Sequence, residues 1–154
     1  MIATNAKQAL DLFKSPTEKE KSILEQFKYQ KNSVVVHTDE MLMPSEKKDW
    51  SYFKIVYNPD NQEKFNTVHF GQAQNVPVFL TNFRKLPKEL SKSDMIAKYS
   101  FEQPIFNKSA QSAQIKLKSI QGKNHTWFVG SYCVGHGHHE SSVESSYIAA
   151  KALS

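Results

Sequence analysis

The spacing of apolar residues predicts two short helices at the start of the chain. Thr4 or Asn5 is placed to cap the first helix, and Gln8 can return a hydrogen bond to the cap. For the second helix we expect Ser15 as the cap, with Glu18 completing a capping box ahead of the next apolar run. Both helices precede a change to a pattern that is typical of strands.

The middle of the chain contains short apolar or alternating segments, which are typical of β-strands. In the second of these segments, Phe53, Ile55 and Tyr57 fall on one face. The predicted strands are residues 33–38, 51–57, 67–70, 76–81 and 95–102. We therefore expect an antiparallel or mixed sheet in the middle of the chain.

A helix, a short strand and a final helix are predicted to follow the sheet. The first helix covers residues 109–121, and the strand covers residues 126–129. The predicted buried stripes are Ala110, Ala113, Leu117 and Ile120 in the first helix and Val143, Tyr147, Ala150 and Leu153 in the last. The fold class is thus α+β: a mixed β-sheet with two N-terminal helices and a C-terminal strand–loop–helix.

Composition and charge narrow the functional classes. The chain has 154 residues, of which 39% are hydrophobic, and this suits a single globular unit. Its net charge is +5, but the basic residues are spread along the sequence, so we expect no nucleic-acid interface. No segment approaches the ~20 apolar residues of a membrane helix, and we expect no membrane partner and no signal peptide. The single cysteine, Cys133, excludes an intramolecular disulfide and favours a cytoplasmic location.

The loop before the final helix concentrates the candidate chemistry. A glycine-containing loop that leads into a helix presents free N–H groups and a positive dipole end, which favours an anion or an electron-rich heterocycle as ligand. The loop also holds His136, His138 and His139, so a metal-binding protein is one alternative. A non-catalytic binding module is another. Cys133 has no readable partner that would activate it, and we expect it to be a small buried hydrophobe.

Side chains of the predicted sheet give weaker evidence of a functional site than those of the loop before the final helix. His37 and His69 each lie in a strand pattern and are expected to be core or interface histidines. A group of aromatic residues can line a substrate cavity, but ordinary sheet core is the more frequent role of such residues. These aromatic residues are Trp50, Tyr52, Phe53 and Tyr57.

Five ordered sequence blocks together cover most of the chain. They are IATNAKQALDLF, SPTEKEKSILEQFKYQKNSVVVHTDEMLMP, Trp50, VPVFLTN and QPIFNKSAQSAQIKLKSIQGKNHTWFVGSYCVGHGHHESSVESSYIAAKAL. In this order the blocks resemble the C-terminal part of the bacterial flavin-dependent amine-oxidase-like proteins, a group described as predicted NAD/FAD-binding proteins. Two of these blocks together point to this group, and neither does so alone. One contains YQKN, VVVHTD and LMP, and the other contains QG, TWFVG and HE.

The resemblance implies an FAD cofactor and hydride transfer from a substrate C–H to the flavin. In such flavoproteins the last strand, loop and helix rejoin the FAD-binding domain after a β-rich substrate domain. By this comparison, residues of about 30–105 would be substrate-domain-like and residues of about 106–154 would be the end of the FAD-binding domain. Backbone N–H groups of the last helix would face N1 and the C2 carbonyl of the flavin. The resemblance assigns cofactor contacts to Gly130, Ser131, Tyr132, Gly137, His139, Glu140, Ser141 and Ser142.

The sequence departs from this family at several positions. Ser141, Ser142 and Ser146 stand where the family has glycine or another small residue. The five glycines form no G-x-G-x-x-G fingerprint, so the pyrophosphate half of an FAD site is missing. Residues 1–4 look like the end of a strand whose remainder is absent. We therefore expect residues 1–154 to be a single fragment, not catalytic alone, completed by a separately encoded N-terminal FAD-binding half. A small-molecule substrate is implied for the complete enzyme.

Overall fold

A computed structural model describes residues 1–60, 63–71, 77–84 and 90–154, without the side chains at positions 58 and 63. The chain forms two compact units. The terminal unit comprises Met1–Gln30 and Pro104–Ser154, and the central unit comprises Lys31–Gln103. The helices are α1 (Ala6–Asp11), α2 (Glu18–Leu24), α3 (Lys108–Leu117) and α4 (His139–Leu153). The strands are β1 (Tyr29–His37), β2 (Phe53–Asn58), β3 (Glu63–His69), β4 (Phe79–Phe83) and β5 (Met95–Pro104).

The five strands form one sheet in the order β2-β3-β4-β1-β5, and the α+β fold class is confirmed. The pairs β2–β3, β3–β4 and β4–β1 are antiparallel. The five strands predicted for the middle of the chain each overlap an observed strand within the described residues. β4 begins at Phe79, later than the predicted residue 76, and Val76 itself lies outside the described residues.

One face of the sheet is buried and carries both an apolar cluster and a polar chain. The apolar cluster comprises Val35, Leu42, Phe83 and Leu90. In the polar chain, Nε2 of His37 lies 2.9 Å from Oγ1 of Thr81, which lies 2.9 Å from Oγ1 of Thr67. His37 is fully buried, and burial lowers its pKa below the ordinary value of 6.5, although Asp39 and Asp94 oppose the shift. His37 is therefore a core histidine, as predicted.

The aromatic residues of β2 were expected to form sheet core, but the structure places them on the exposed face of the strand. Phe53, Ile55 and Tyr57 are 47%, 65% and 58% exposed. The register explains this, because Val56 pairs with Phe65 and Lys54 pairs with Thr67 on the buried side, which leaves the other three on the outer side. Tyr52 is also exposed. Trp50 instead packs edge-on against His69 at 5.1 Å and Phe79 at 5.6 Å between ring centroids.

The N-terminal helices both begin at capping boxes. In α1 the side chain of Asn5 accepts from the Gln8 N–H, and the Gln8 side chain accepts from the Asn5 N–H, as predicted. The prediction for α2 was wrong by two residues, because Thr17 and not Ser15 is the cap. The side chain of the buried Glu20 accepts from the N–H and the hydroxyl of Thr17, each at 2.7 Å, and the Glu20 N–H donates to the Thr17 hydroxyl at 3.2 Å. This reciprocal pairing fixes the start of the helix.

Helix α3 forms the predicted stripe and shares one core with α1, α2 and the segment that leads into the glycine loop. Asn107 caps α3 by accepting from the Ala110 N–H at 3.0 Å. The helix ends at Leu117, before the predicted residue 121. The buried core comprises Ala6, Ala9, Ile23, Leu24, Phe27, Ala110, Ala113, Leu117, Ile120, Phe128, Tyr132 and Cys133.

The strand predicted at residues 126–129 is reduced to a single parallel bridge between Ile2 and Phe128. The Ile2 N–H donates to the Trp127 carbonyl at 2.7 Å, and the Val129 N–H donates to the Ile2 carbonyl at 3.0 Å. The Gln121 side-chain amide pairs with the backbone of Phe128. Its Oε1 accepts from the Phe128 N–H at 2.8 Å, and its Nε2 donates to the Phe128 carbonyl at 2.7 Å. The segment is extended as predicted, but a side-chain amide takes the place of a second strand.

The prediction for the last helix was wrong about which face is buried. Ser141, Ser145 and Ala149 are buried, whereas Val143 and Tyr147 are 51% and 59% exposed. Ala150 and Leu153 are exposed as well. Within the described residues, no helix has the length and apolar character needed to cross a membrane.

Candidate functional site

The loop between Phe128 and α4 begins at a glycine that is bonded to the helix. Gly130 has φ 137°, and its N–H donates to the Ser145 hydroxyl at 2.9 Å. That hydroxyl donates in turn to the Ser142 carbonyl at 3.0 Å. The Cys133 N–H closes a turn onto the Gly130 carbonyl at 3.0 Å. The first residues of the loop are therefore fixed against the second turn of α4.

A glutamine on α3 holds the middle of the loop. Nε2 of Gln114 donates to the Tyr132 carbonyl at 3.1 Å and to the Gly135 carbonyl at 3.0 Å. Because both donors belong to one amide group, the distance between these two loop carbonyls is restricted. The loop is thus positioned by contacts with α3 as well as with α4.

The end of the loop packs under an aromatic ring at Gly137. This glycine has φ 82°, and a Cβ built on it would overlap the Phe106 ring. A side chain here meets two obstacles at once, the left-handed backbone and the ring. Gly137 therefore permits the direct approach of the loop to Phe106.

Replacing Gly137 with alanine is expected to destabilise the terminal unit by about 2–5 kcal/mol, which is the sum of the costs of left-handed backbone and of overpacking. Thermal and urea unfolding of the purified chain measure this. The double variant with Phe106→Leu should recover part of the overpacking cost but none of the backbone cost. A Gly137→Ala chain as stable as the parent would contradict the described contact with Phe106.

Helix α4 begins at His139 without a side-chain cap. His138 occupies the N-cap position with φ −82° and ψ 170° and makes no side-chain cap hydrogen bond. The Ser141 N–H donates to the His138 carbonyl at 3.1 Å, which leaves the N–H groups of His139 and Glu140 as the donors of the first turn. By contrast, α1, α2 and α3 are each capped by a side chain. The start of α4 can therefore offer backbone N–H groups and a positive dipole end to an acceptor.

Two loop side chains face the protein core. Tyr132 is 2% exposed and packs edge-on against Phe27, with ring centroids 5.0 Å apart. Cys133 is 5% exposed, and burial raises its pKa to about 12. The thiol is thus protonated at neutral pH and is not an activated nucleophile. Cys133 is the buried hydrophobe that its sequence context predicts.

The alternative of a metal site in this loop is not supported by the geometry. His136, His138 and His139 are all exposed. Nδ1 of His139 lies 3.4 Å from Oε1 of Glu140, but both side chains are almost fully solvated. Throughout the described ranges, His, Cys, Asp and Glu side chains form no group of three or more that could hold a metal ion.

The structure separates the eight predicted cofactor contacts into two sets. Gly130, Tyr132, Gly137 and Ser141 are engaged with other parts of the terminal unit. The first turn of α4, at His139 and Glu140, is exposed. Ser131, early in the loop, and Ser142, later in the helix, are half-buried.

Sequence reasoning missed the residues that position the loop. They are Phe106, Gln114 and Ser145. Only Ser145 had a readable signal, because small residues recur at 141, 145 and 149 on one helix face and favour close packing. Phe106 and Gln114 meet the loop through tertiary contacts that have no local sequence pattern.

Comparison with known proteins gives a fold and no family. No protein-family model matches the chain, and no curated protein matches it by sequence. Among solved structures, the chain is similar to the "CLA-producing fatty acid isomerase from P. acnes", with a TM-score of 0.55 and 13% identity. The match covers 99% of this chain and 41% of that one, so the chain spans less than half the length of the similar structure.

Proposed function

We propose that this chain supplies part of the substrate domain and the flavin-end contacts of an FAD-dependent amine-oxidoreductase-like protein. It is not catalytic alone, because the fingerprint that binds the pyrophosphate of FAD is missing from its sequence. A polypeptide segment with that fingerprint completes the site. The single free thiol, Cys133, fits a cytoplasmic location for the assembled protein.

The observation that carries this proposal is the uncapped start of α4. The N–H groups of His139 and Glu140 have no acceptor in the helix, and no side chain caps them. Such donors fit the pyrimidine end of a flavin, where reduction places negative charge. Ser142 lies one turn further along the helix, so its main-chain N–H belongs to the intrahelical ladder.

Other positions support the cofactor indirectly. The Gly130 N–H is bonded to Ser145, and Tyr132 is buried against Phe27, so neither is a direct contact in this proposal. Their role is to hold the loop in front of α4. Gln114 contributes to the same task through its two bonds to loop carbonyls. When bound, FAD supplies hydride acceptance from a substrate C–H, and these residues orient the backbone toward it.

The fold likeness supports the fragment interpretation. The matched region covers nearly all of this chain but less than half of the similar structure. The similar protein is described as a fatty acid isomerase, and at 13% identity the likeness concerns the fold alone. The proposal therefore takes its cofactor from the sequence resemblance, and it takes the need for a further FAD-binding segment from the missing fingerprint.

The His139→Pro variant tests the flavin contact with little change to the fold. His139 is the first helical residue, where proline is tolerated, and His138 has the extended backbone that is required before proline. The substitution removes one backbone N–H. The ring of oxidised FAD is neutral, and a hydrogen bond between neutral groups is worth about 0.5–1.5 kcal/mol, so we expect FAD to bind about 2- to 10-fold more weakly to the assembled protein.

The matched control is His139→Ala, which loses the same side chain and keeps the N–H. The His139 side chain is 86% exposed, so both variants should retain stability within about 0.5 kcal/mol of the parent. Equal FAD affinity of the two variants, measured by flavin fluorescence titration, would show that this N–H does not contact the cofactor.

A further inference from the structure

Strand β5 has an exposed stretch at one end of the sheet. It is the last strand in the order β2-β3-β4-β1-β5, so within the described residues it has a neighbouring strand on one side only. At its start the burial alternates, with Met95 and Ala97 half-buried and Ile96 exposed. The alternation then stops, and every residue from Lys98 to Glu102 is exposed. We call residues 98–102 the open segment of β5.

The open segment combines aromatic side chains with charges of both signs. Strand geometry places Tyr99 and Phe101 on one face and the polar residues on the other, and these two rings are 62% and 41% exposed. An unpaired strand edge can accept a further strand, because main-chain hydrogen bonds and side-chain contacts then form together. Charges on an edge strand usually oppose such pairing, but Lys98 and Glu102 have opposite signs. The open segment therefore suits a strand that presents the two charges in the reverse order.

A second copy of the open segment, running antiparallel, has that reverse order. A two-fold axis at Ser100 places Lys98 of each copy opposite Glu102 of the other. The same axis places Tyr99 opposite Phe101. Opposite charges and aromatic rings are both favourable cross-strand pairs, and the symmetry forms each pair twice. A parallel pairing in register would instead place like charges opposite each other.

The strand at the other end of the sheet lacks this self-complementarity. Lys54 is the only charged residue in β2, so no pairing of β2 with a copy of itself matches opposite charges. The described side chains of β2 also alternate between exposed and half-buried, whereas the open segment is exposed on both faces. The two ends of the sheet are therefore not equivalent, and the end at β5 is the one that fits a second copy.

We propose that two copies of this chain pair through their β5 strands, antiparallel about a two-fold axis at Ser100, so that their sheets become continuous. A pairing confined to one strand edge is small beside the ~800 Å² per partner of a standard interface, and we expect a weak dimer. The open segment shares no residue with the glycine loop or α4. The inference therefore stands or falls independently of the proposed function.

Charge reversal tests the pairing of Lys98 with Glu102. Sedimentation of the purified chain should show a dimer that grows with concentration. Lys98→Glu and Glu102→Lys should each dimerise about 10-fold more weakly, because each replaces two opposite-charge pairs with two like-charge pairs. An equimolar mixture of these two variants, and the Lys98→Glu/Glu102→Lys chain, should both recover the parental affinity. A parent that stays monomeric up to ~1 mM, or a mixture as weak as its components, would overturn the inference.

Disulfide trapping tests the position of the two-fold axis. Opposite residues of an antiparallel pair have Cα atoms about 4.5–5.5 Å apart, which a disulfide can span, so Ser100→Cys should link to a second copy on mild oxidation. Ile96→Cys is the matched control, because Ile96 is 60% exposed on the same strand face. Its two copies would lie eight residues out of register, about 27 Å apart. The native Cys133 should not compete, because it is buried and its pKa is raised to about 12.

The trapping is carried out on the purified chain and, with a membrane-permeable thiol oxidant, in the cells that make it. In both settings we expect the Ser100→Cys dimer to form at least about 10-fold faster than the Ile96→Cys dimer, since only the first pair of thiols lies within bonding range. Equal rates for the two variants would overturn the inference. Linkage of Ser100→Cys to a different polypeptide in the cells would overturn it as well, because the open segment would then pair with another protein.

Discussion

Replacing Phe128 with alanine is expected to destabilise the terminal unit by about 3–5 kcal/mol, the usual cost of truncating a buried aromatic ring. Phe128 is 0% exposed, and its ring lies 6.0 Å from that of Phe13 between centroids. Its backbone also lies between the Ile2 bridge and the Gln121 amide. The cavity left by the ring would therefore disturb the segment that leads into the glycine loop.

The two tryptophans allow this effect to be measured within one unit. Trp127 belongs to the terminal unit and Trp50 to the central unit, so urea unfolding followed by fluorescence in a Trp50→Phe background reports the terminal unit. Ile115→Ala, at a position 72% exposed on α3, is the control and should change the free energy of unfolding by less than about 0.5 kcal/mol. A Phe128→Ala effect as small as that of the control would contradict the described core.

The second large effect is expected for Phe79→Ala in the central unit, again about 3–5 kcal/mol. Phe79 is 1% exposed and pairs in register with His37 on β1 and His69 on β3. Its ring is stacked with both imidazoles, at 5.5 Å and 4.9 Å between centroids, and Trp50 meets it edge-on. The alanine would leave a cavity between the two histidine rings that stack on Phe79.

Fluorescence of Trp50 in a Trp127→Phe background measures this second effect. Phe53→Ala provides the matched control, because it removes the same side chain from the outer side of β2, where Phe53 is 47% exposed. We expect a cost of less than about 1 kcal/mol for the control, which is the usual range for an exposed cross-strand contact. Similar losses for the two alanines would mean that the buried and exposed faces of the sheet have been assigned the wrong way round.

Elements with strong local signals were predictable from the sequence. The stripe predicted for α3 has helical spacing, and the structure buries Ala110, Ala113 and Leu117 in the helix and Ile120 just after it. The strands of the central unit follow from short apolar or alternating segments. The α2 cap was misplaced because Ser15 and Thr17 both precede a glutamate at the capping-box distance, and only packing decides between them.

The wrong predictions share one physical cause: a local sequence pattern does not specify which part of the protein an element packs against. Helical periodicity identified two faces of α4 but not which one meets the core, and close packing at the glycine loop selects the face with small residues. The extended segment at Phe128 has strand propensity, yet its pairing depends on Ile2 and on the Gln121 side chain. The aromatic residues of β2 likewise needed the register before their exposed side was known.

The candidate site was predictable only in its backbone. Glycine spacing and the helix start indicated a loop that approaches a ligand, and Gly130, Gly135 and Gly137 all have positive φ. Phe106 and Gln114, which hold that loop, come from α3 and the segment before it, and nothing in their local sequence marks them. The cofactor contacts themselves stay a prediction from the sequence resemblance.

The most direct test of the central claim is the FAD content of this chain as it occurs in its own cells. The chain is purified under native conditions with whatever polypeptide is bound to it, and flavin released on denaturation is quantified against protein. The proposal predicts one FAD per chain in the complex that contains the fingerprint-bearing partner, and no saturable FAD binding by the isolated chain. A complex that contains this partner but no FAD would contradict the account.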